Sequence, residues 1–104
     1  MARFILHLPA YSDKQGLLHA FASQCGFGKG FGYNWDALWD ALNDWLEQQS
    51  MPLCLVLDLS QVQKLDPDEW QICLDILQDA IGQWPHFCYL LTTAQAQLLP
   101  DRTS

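Results

Sequence analysis

Basic residues are scarce in this chain of 104 residues, which carries 5 lysines and arginines against 12 aspartates and glutamates. The formal net charge is −7 at pH 7, and between residues 36 and 79 the only base is Lys64. The carboxylates of that segment are Asp36, Asp40, Asp44, Glu47, Asp58, Asp66, Asp68, Glu69, Asp75 and Asp79. Such a surface repels phosphate backbones, so direct nucleic-acid binding is not expected. It attracts a basic protein instead.

Long apolar runs and closely spaced cysteines are also missing. No basic N-terminal segment precedes a long apolar one, so neither a signal peptide nor a membrane span is expected. The four cysteines form no CxxC pair and sit in apolar runs, which predicts buried free thiols. They are Cys25, Cys54, Cys73 and Cys88. Together these absences indicate a cytoplasmic protein.

Metal-binding and catalytic patterns do not occur either. His7, His19 and His86 have no HxxxH or HxH spacing, so we expect no metal, no cofactor and no enzymatic activity. The glycine-rich stretch 26–32 follows a predicted helix and has no Gly-Lys-Ser/Thr ending, unlike a phosphate-binding loop. It is predicted to be a loop that leads into the next helix.

Half of the residues are apolar, which is enough for one domain with its own core. Unbroken apolar runs predict buried strands at residues 3–8, 51–60 and 86–92. Long helical crossovers between short strands imply parallel pairing with right-handed connections. The sequence therefore predicts an α/β fold, a three-stranded parallel sheet covered by helices, as a single domain at 1–92 with a tail at 93–104.

Apolar residues at helical spacing predict the first two main helices. The first takes Ser12 as its N-cap and stops at Gly26, where glycine suits a helix end. The second runs from about Asn34, a good N-cap residue, to about Gln48.

The third main helix has the clearest start signal in the chain. Asp66 is the expected N-cap, Pro67 takes the first helical position and Glu69 completes a capping box. This helix is predicted to run to about Gly82. A short helical turn is predicted over residues 60–65, before it.

The second helix carries an acidic stripe opposite its apolar face. At 100° per residue, the stripe spans about 80° of the helix circumference. Its members are Asp36, Asp40, Asp44 and Glu47. A solvated polar face is the simpler interpretation, but like charges one turn apart cost about 0.2–0.5 kcal/mol each and no base lies between them. Asp68, Asp75 and Asp79 cluster in the same way on the third helix, so a partner is expected to supply the cations.

The run GYNWDALWDALNDW, residues 32–45, resembles the signature of the barstar family, small intracellular inhibitors of secreted ribonucleases. The match comprises a glycine, Asn34, the run Asp36-Ala37-Leu38-Trp39-Asp40, Leu42 and Trp45. It continues through the second apolar strand, the last helix and the final strand, and covers about residues 3–92. The resemblance implies the barstar-like fold and a ribonuclease-inhibitor function.

The resemblance also implies roles for individual residues. Family members insert this helix and the preceding loop into the ribonuclease active site. Asp40 matches the aspartate that takes the place of a substrate phosphate, Asp36 a second interface carboxylate, and Asp79 an acidic residue that adds a peripheral ion pair. Phe31 is expected to stand in for a loop aromatic that Gly30 replaces. The expected partner-binding residues are Phe31, Gly32, Asn34, Asp36, Trp39, Asp40, Asn43, Trp45 and Asp79.

Two other functions stay open at this point. An interaction module with the same fold would use the same acidic face to bind another basic protein, such as a toxin domain that is not a ribonuclease. An enzyme would need acid–base or metal chemistry, which the histidine spacing does not favour. The expected partner is therefore a basic ribonuclease or a related toxin protein, with no direct nucleic-acid or membrane contact.

Overall fold

A computed structural model describes residues 2–49 and 52–93, and this part of the chain contains five strands and three helices. In chain order they are β1 (Ala2–His7), β2 (Tyr11–Ser12), α1 (Lys14–Cys25), α2 (Trp35–Glu47), β3 (Leu53–Asp58), β4 (Lys64–Leu65), α3 (Pro67–Gln83) and β5 (Phe87–Thr92). The domain boundary after residue 92 stays a prediction, because residues 94–104 of the predicted tail lie outside the described residues.

The three longer strands form a parallel sheet in the order β1-β3-β5. The central strand, β3, is buried along its whole length, which explains why its sequence is an unbroken apolar run and does not alternate. The register places Leu55 between Phe4 and Tyr89. The predicted fold class, an α/β protein with a three-stranded parallel sheet and helices, is confirmed.

The core lies between one face of this sheet and the helices. Leu53, Leu55 and Leu57 of β3 point into it and meet apolar residues of α1, α2 and α3. On the opposite face, Cys54 and Val56 form a smaller buried cluster. Because successive residues of a strand point to opposite faces, one apolar strand serves both clusters.

The start of α1 lies one residue later than predicted, so Ser12 as the N-cap is wrong. The cap is Asp13, whose Oδ1 accepts a hydrogen bond from the Gly16 amide at 2.8 Å. Ser12 is instead buried, and its hydroxyl donates to the Pro9 carbonyl at 2.8 Å. Pairing with Leu65 in a two-stranded parallel ribbon, β2–β4, holds Ser12 in that place.

The turn predicted over residues 60–65 is present only at its start, where the Val62 amide donates to the Leu59 carbonyl at 3.1 Å, and the ribbon replaces the rest. The amides of Gln63 and Lys64 both donate to the Ala10 carbonyl at 2.9 Å. Pairing with a distant segment therefore satisfies the backbone groups that a helical turn would have satisfied locally. The prediction was wrong for residues 63–65, because the strand that pairs with them lies about fifty residues away in the sequence.

The start of α3 has the predicted N-cap and first residue but not the predicted capping box. Asp66 caps the helix, accepting from the amides of Asp68 at 3.1 Å and Glu69 at 3.3 Å, and Pro67 opens the first turn. The return bond of a capping box does not form, because the Asp66 amide donates to the Ser12 carbonyl at 3.2 Å. The Glu69 carboxylate is thereby available for a tertiary contact.

The four cysteines are free thiols, as predicted, but only Cys54 and Cys73 are fully buried, while Cys25 and Cys88 are half-buried. Burial raises the pKa of Cys25 and of Cys73 to about 12. Burial and a hydrogen bond with Cys88 raise the pKa of Cys54 to about 11. Within residues 2–49 and 52–93, no helix is both long and apolar enough to span a membrane.

Candidate partner-binding surface

The start of α2 is set by Asn34, as the sequence predicts. Its Oδ1 accepts a hydrogen bond from the Ala37 amide at 2.8 Å, and its Nδ2 donates to the Gly32 carbonyl at 3.3 Å. Asp36 lies in the first turn, where the helix dipole favours a negative charge. The preceding helix ends at Gly26, whose φ of 74° suits glycine, so residues 26–34 form the loop between the two helices.

The acidic stripe is an exposed ridge on α2. We use "acidic ridge" for the exposed carboxylates Asp36, Asp40, Asp44 and Glu47. Among the described residues, these four side chains have no salt bridge and no hydrogen-bond donor, since the one ion pair joins His7 to Asp58 elsewhere. The ridge therefore presents carboxylate oxygens whose acceptor capacity is unused within this part of the chain.

A first hollow, the loop hollow, lies between α2 and the loop that precedes it. Its volume is about 490 Å³. Phe27 and Phe31 line it from the loop, and Asp40 and Asp44 line it from the helix. The Phe31 amide donates to the Gly28 carbonyl at 3.1 Å, a turn that places the two rings 5.2 Å apart.

A second hollow of about 540 Å³, the tryptophan hollow, lies on the other side of the ridge. Trp39 and Trp84 line it, together with Asp40, Asp44 and Glu47. Asp40 and Asp44 therefore stand between two hollows and line both.

Asn43 holds the tryptophan hollow together. Its Nδ2 donates to the Trp39 carbonyl at 2.7 Å, and its Oδ1 accepts from the Trp84 indole at 2.7 Å. The side chain thus uses both ends to join α2 to the residue that follows α3. The sequence alone does not indicate that Trp84 belongs to this surface, because no local pattern links it to Asn43, 41 positions earlier.

A second indole hydrogen bond ties the start of α2 to α3. The Trp35 Nε1 donates to Glu69 Oε1 at 2.9 Å. This bond uses the carboxylate that the predicted capping box would have used. Hence α2 is attached to α3 through Trp35, and through Asn43 to Trp84, the residue that follows α3. These two bonds orient the acidic ridge away from the core.

The predicted site residues fall into four groups. Phe31, Gly32, Asp40 and Trp45 line the loop hollow, and Trp39, Asp40 and Asn43 line the tryptophan hollow. Asn34 and Asp36 lie exposed at the start of α2. Asp79 is exposed on α3 and lines neither hollow.

Trp45 is a special case among these residues. It is only 9 % exposed and packs edge-to-face on Phe4 at a centroid distance of 4.9 Å. Most of its ring therefore belongs to the core, and its part in the surface is to support the wall of the loop hollow.

The charged groups of this surface are mainly acidic. It offers carboxylate oxygens and aromatic rings, and the base nearest in sequence is Lys29, an exposed residue of the loop. Cys25 also lines the loop hollow, and burial raises the pKa of its thiol to about 12, the opposite of the lowered pKa typical of reactive cysteines. Such a set of groups suits the binding of cations.

A protein-family model matches most of the chain. The model of the family described as Barstar (barnase inhibitor) matches residues 1–97 of the chain. No curated protein matches the sequence. The family's description implies a ribonuclease-inhibitor role in general. The match covers nearly the whole chain and agrees with the sheet and helices described above, and the chain therefore belongs to the barstar family.

Proposed function

We propose that this chain inhibits a basic ribonuclease by inserting α2 and the loop before it into the active-site cleft of the enzyme. The observation that carries this function is the acidic ridge. Its four carboxylates are exposed and have neither a cation nor a hydrogen-bond donor within the described part of the chain. A basic partner would supply both.

The energetics of α2 support a functional reason for the ridge. Three leucines of α2, Leu38, Leu42 and Leu46, are fully buried, and each contributes about 1.5–3 kcal/mol to folding. Repulsion between neighbouring carboxylates costs only about 0.2–0.5 kcal/mol per pair. The buried leucines outweigh this repulsion, so the fold tolerates the ridge without needing it for stability.

Asp40 is the residue best placed to imitate a substrate phosphate. It is exposed, lies near the middle of the ridge and lines both hollows. A ribonuclease cleft binds phosphate through cationic groups that also stabilise the charge that develops during cleavage. Charge-assisted hydrogen bonds from those groups to a carboxylate are among the stronger ones, especially where water is excluded.

The other predicted site residues have supporting parts. Asp36 adds a second carboxylate to the interface, and Asp79 adds a peripheral ion pair from α3. Phe31 and Trp39 each line one of the two hollows beside Asp40, and they would exclude water from Asp40 once the partner fills those hollows. Asn34 shapes the loop through its hydrogen bonds to the Gly32 carbonyl and the Ala37 amide.

The test is a titration of a small guanyl-specific microbial ribonuclease with the purified chain, followed by RNA cleavage. We expect stoichiometric inhibition by the wild type and a loss of about 2–5 kcal/mol of binding free energy in Asp40→Ala. Asp75→Ala is the control and should inhibit normally, because Asp75 is an exposed carboxylate of α3 that lines neither hollow and accepts a hydrogen bond from Gln71.

The thermal midpoint of Asp40→Ala should equal or slightly exceed that of the wild type, because like-charge repulsion falls. A large drop in the midpoint would mean that Asp40 is structural. Absence of inhibition by the wild type at micromolar concentration would overturn the ribonuclease proposal and direct the search to another basic protein.

A further inference from the structure

Tyr33 has a backbone conformation that its residue type disfavours. Its φ is 51°, and among the described residues it is the one non-glycine residue with a positive φ. Left-handed backbone costs free energy for residues with a Cβ atom, and glycine avoids that cost. The same loop has glycine at positions 26, 28, 30 and 32, yet tyrosine stands at this one. Conformational strain kept in place is a reason to look for a function.

Two ring contacts hold the Tyr33 side chain. The His19 ring of α1 lies at a centroid distance of 4.3 Å and an angle of 33°, and Phe31 meets the Tyr33 ring edge-on at 4.8 Å. The residue nevertheless stays 38 % exposed, and its hydroxyl has no hydrogen bond within residues 2–49 and 52–93. The contacts therefore place the ring without burying it.

We propose that Tyr33 contacts the basic partner, and that the ring face opposite His19 stacks on an arginine side chain of that partner. This contact rests on the proposed function, since it extends the same surface beyond the acidic ridge. Tyr33 packs on Phe31, which lines the loop hollow together with Asp40. A partner that matches the ridge is rich in cations, and the guanidinium of arginine stacks on the face of a tyrosine ring.

The test compares variants of Tyr33 in binding to the ribonuclease that the wild type inhibits. Asparagine tolerates a positive φ, so Tyr33→Asn removes the ring without adding backbone strain. We expect its dissociation constant to rise about 5- to 30-fold, with Tyr33→Phe within about twofold of the wild type. Tyr11→Asn alters a tyrosine that is 66 % exposed on the β2–β4 ribbon, and as the matched control it should bind normally.

A second pair of variants separates contact from a structural role. Tyr33→Glu and Tyr33→Lys both remove the ring, so a purely structural tyrosine would leave them equally weak. If an arginine faces this position, the glutamate variant should bind at least tenfold more tightly than the lysine variant. The same pair at Tyr11 should differ much less, which accounts for the general attraction of a basic partner.

The outcomes distinguish this contact from the proposed function. Inhibition that is lost in Asp40→Ala but unchanged in Tyr33→Asn would overturn the Tyr33 contact alone. Equal binding of the glutamate and lysine variants would also overturn it. A wild type that inhibits no ribonuclease would overturn both. If Tyr33→Asn does not fold, Tyr33→Gly, which relieves the positive φ, takes its place.

Discussion

Asp58, at the end of β3, is the one buried carboxylate among the described residues, being only 3 % exposed. Burial by itself raises the pKa of Asp58. Hydrogen bonds from the amide and hydroxyl of Ser60 and from the His7 ring outweigh that effect, so the pKa lies below its ordinary value. The Ser60 amide lies 2.9 Å and the His7 Nδ1 2.7 Å from the carboxylate. This side chain is satisfied inside the protein, whereas the acidic ridge has unused acceptors.

The lowered pKa of Asp58 makes stability depend on pH. In the unfolded chain the pKa is about 3.9, so the stabilisation is fully present above that pH and is lost as pH falls through the lower folded value. We expect Asp58→Asn to reduce the free energy of unfolding by about 1–3 kcal/mol at pH 7 and by less at pH 3. Urea denaturation of both proteins at the two pH values measures this. A gap that stays constant would contradict the sign of the shift.

Among the helices, α3 acts as a brace for α2. Indole hydrogen bonds join Trp35 to Glu69 at the start of α2 and Trp84 to Asn43 further along. The first brings together residues 34 positions apart in the chain, and the second residues 41 positions apart. Two attachments fix the direction in which α2 presents its carboxylates, and such pre-organisation reduces the entropy that binding would otherwise cost.

The Asn43–Trp84 bond can be measured with a double-mutant cycle. Trp84→Phe keeps an aromatic ring but removes the indole donor, and Asn43→Ala removes the acceptor. Each should lower the free energy of unfolding, and the pair should show a coupling of about 0.5–1.5 kcal/mol, as expected for one hydrogen bond. Chemical denaturation of the four proteins gives the coupling. Additive losses would mean that the bond contributes nothing to stability.

At the scale of the whole molecule, charge is unevenly distributed. The chain carries a net charge of −7, and the acidic ridge concentrates carboxylates on one surface. A field of this kind guides a basic protein to that surface before any contact forms. The loop before α2 carries one base, the exposed Lys29, whose positive charge opposes the attraction.

Salt should therefore act on association far more than on dissociation. Raising ionic strength from about 0.05 M to about 0.5 M shortens the Debye length well below the distance over which steering works, and we expect the association rate to fall at least tenfold. Lys29→Glu should raise that rate at low salt. Stopped-flow mixing with the ribonuclease measures both rates, and an association rate independent of salt would contradict electrostatic steering.

Much of this architecture could be predicted from the sequence because its signals are local. The apolar runs predict the three strands of the sheet, and Asn34, Gly26 and Asp66 mark helix ends through bonds within a few residues. The acidic stripe also follows from helical periodicity. The resemblance of residues 32–45 to the barstar signature pointed to the same surface, and the family match over residues 1–97 confirmed the family.

Contacts between distant segments could not be predicted in this way. Ser12 is not the N-cap because β2 pairs with β4. Glu69 does not complete the capping box because the Asp66 amide donates to the Ser12 carbonyl, and the Glu69 carboxylate accepts from the Trp35 indole instead. Neither partner lies near in the sequence, so no periodicity or capping rule reveals it. The charge of the surface and the helix that carries it are local properties of the sequence. The brace of α3, the two hollows and the strained Tyr33 arise only when packing brings distant side chains together.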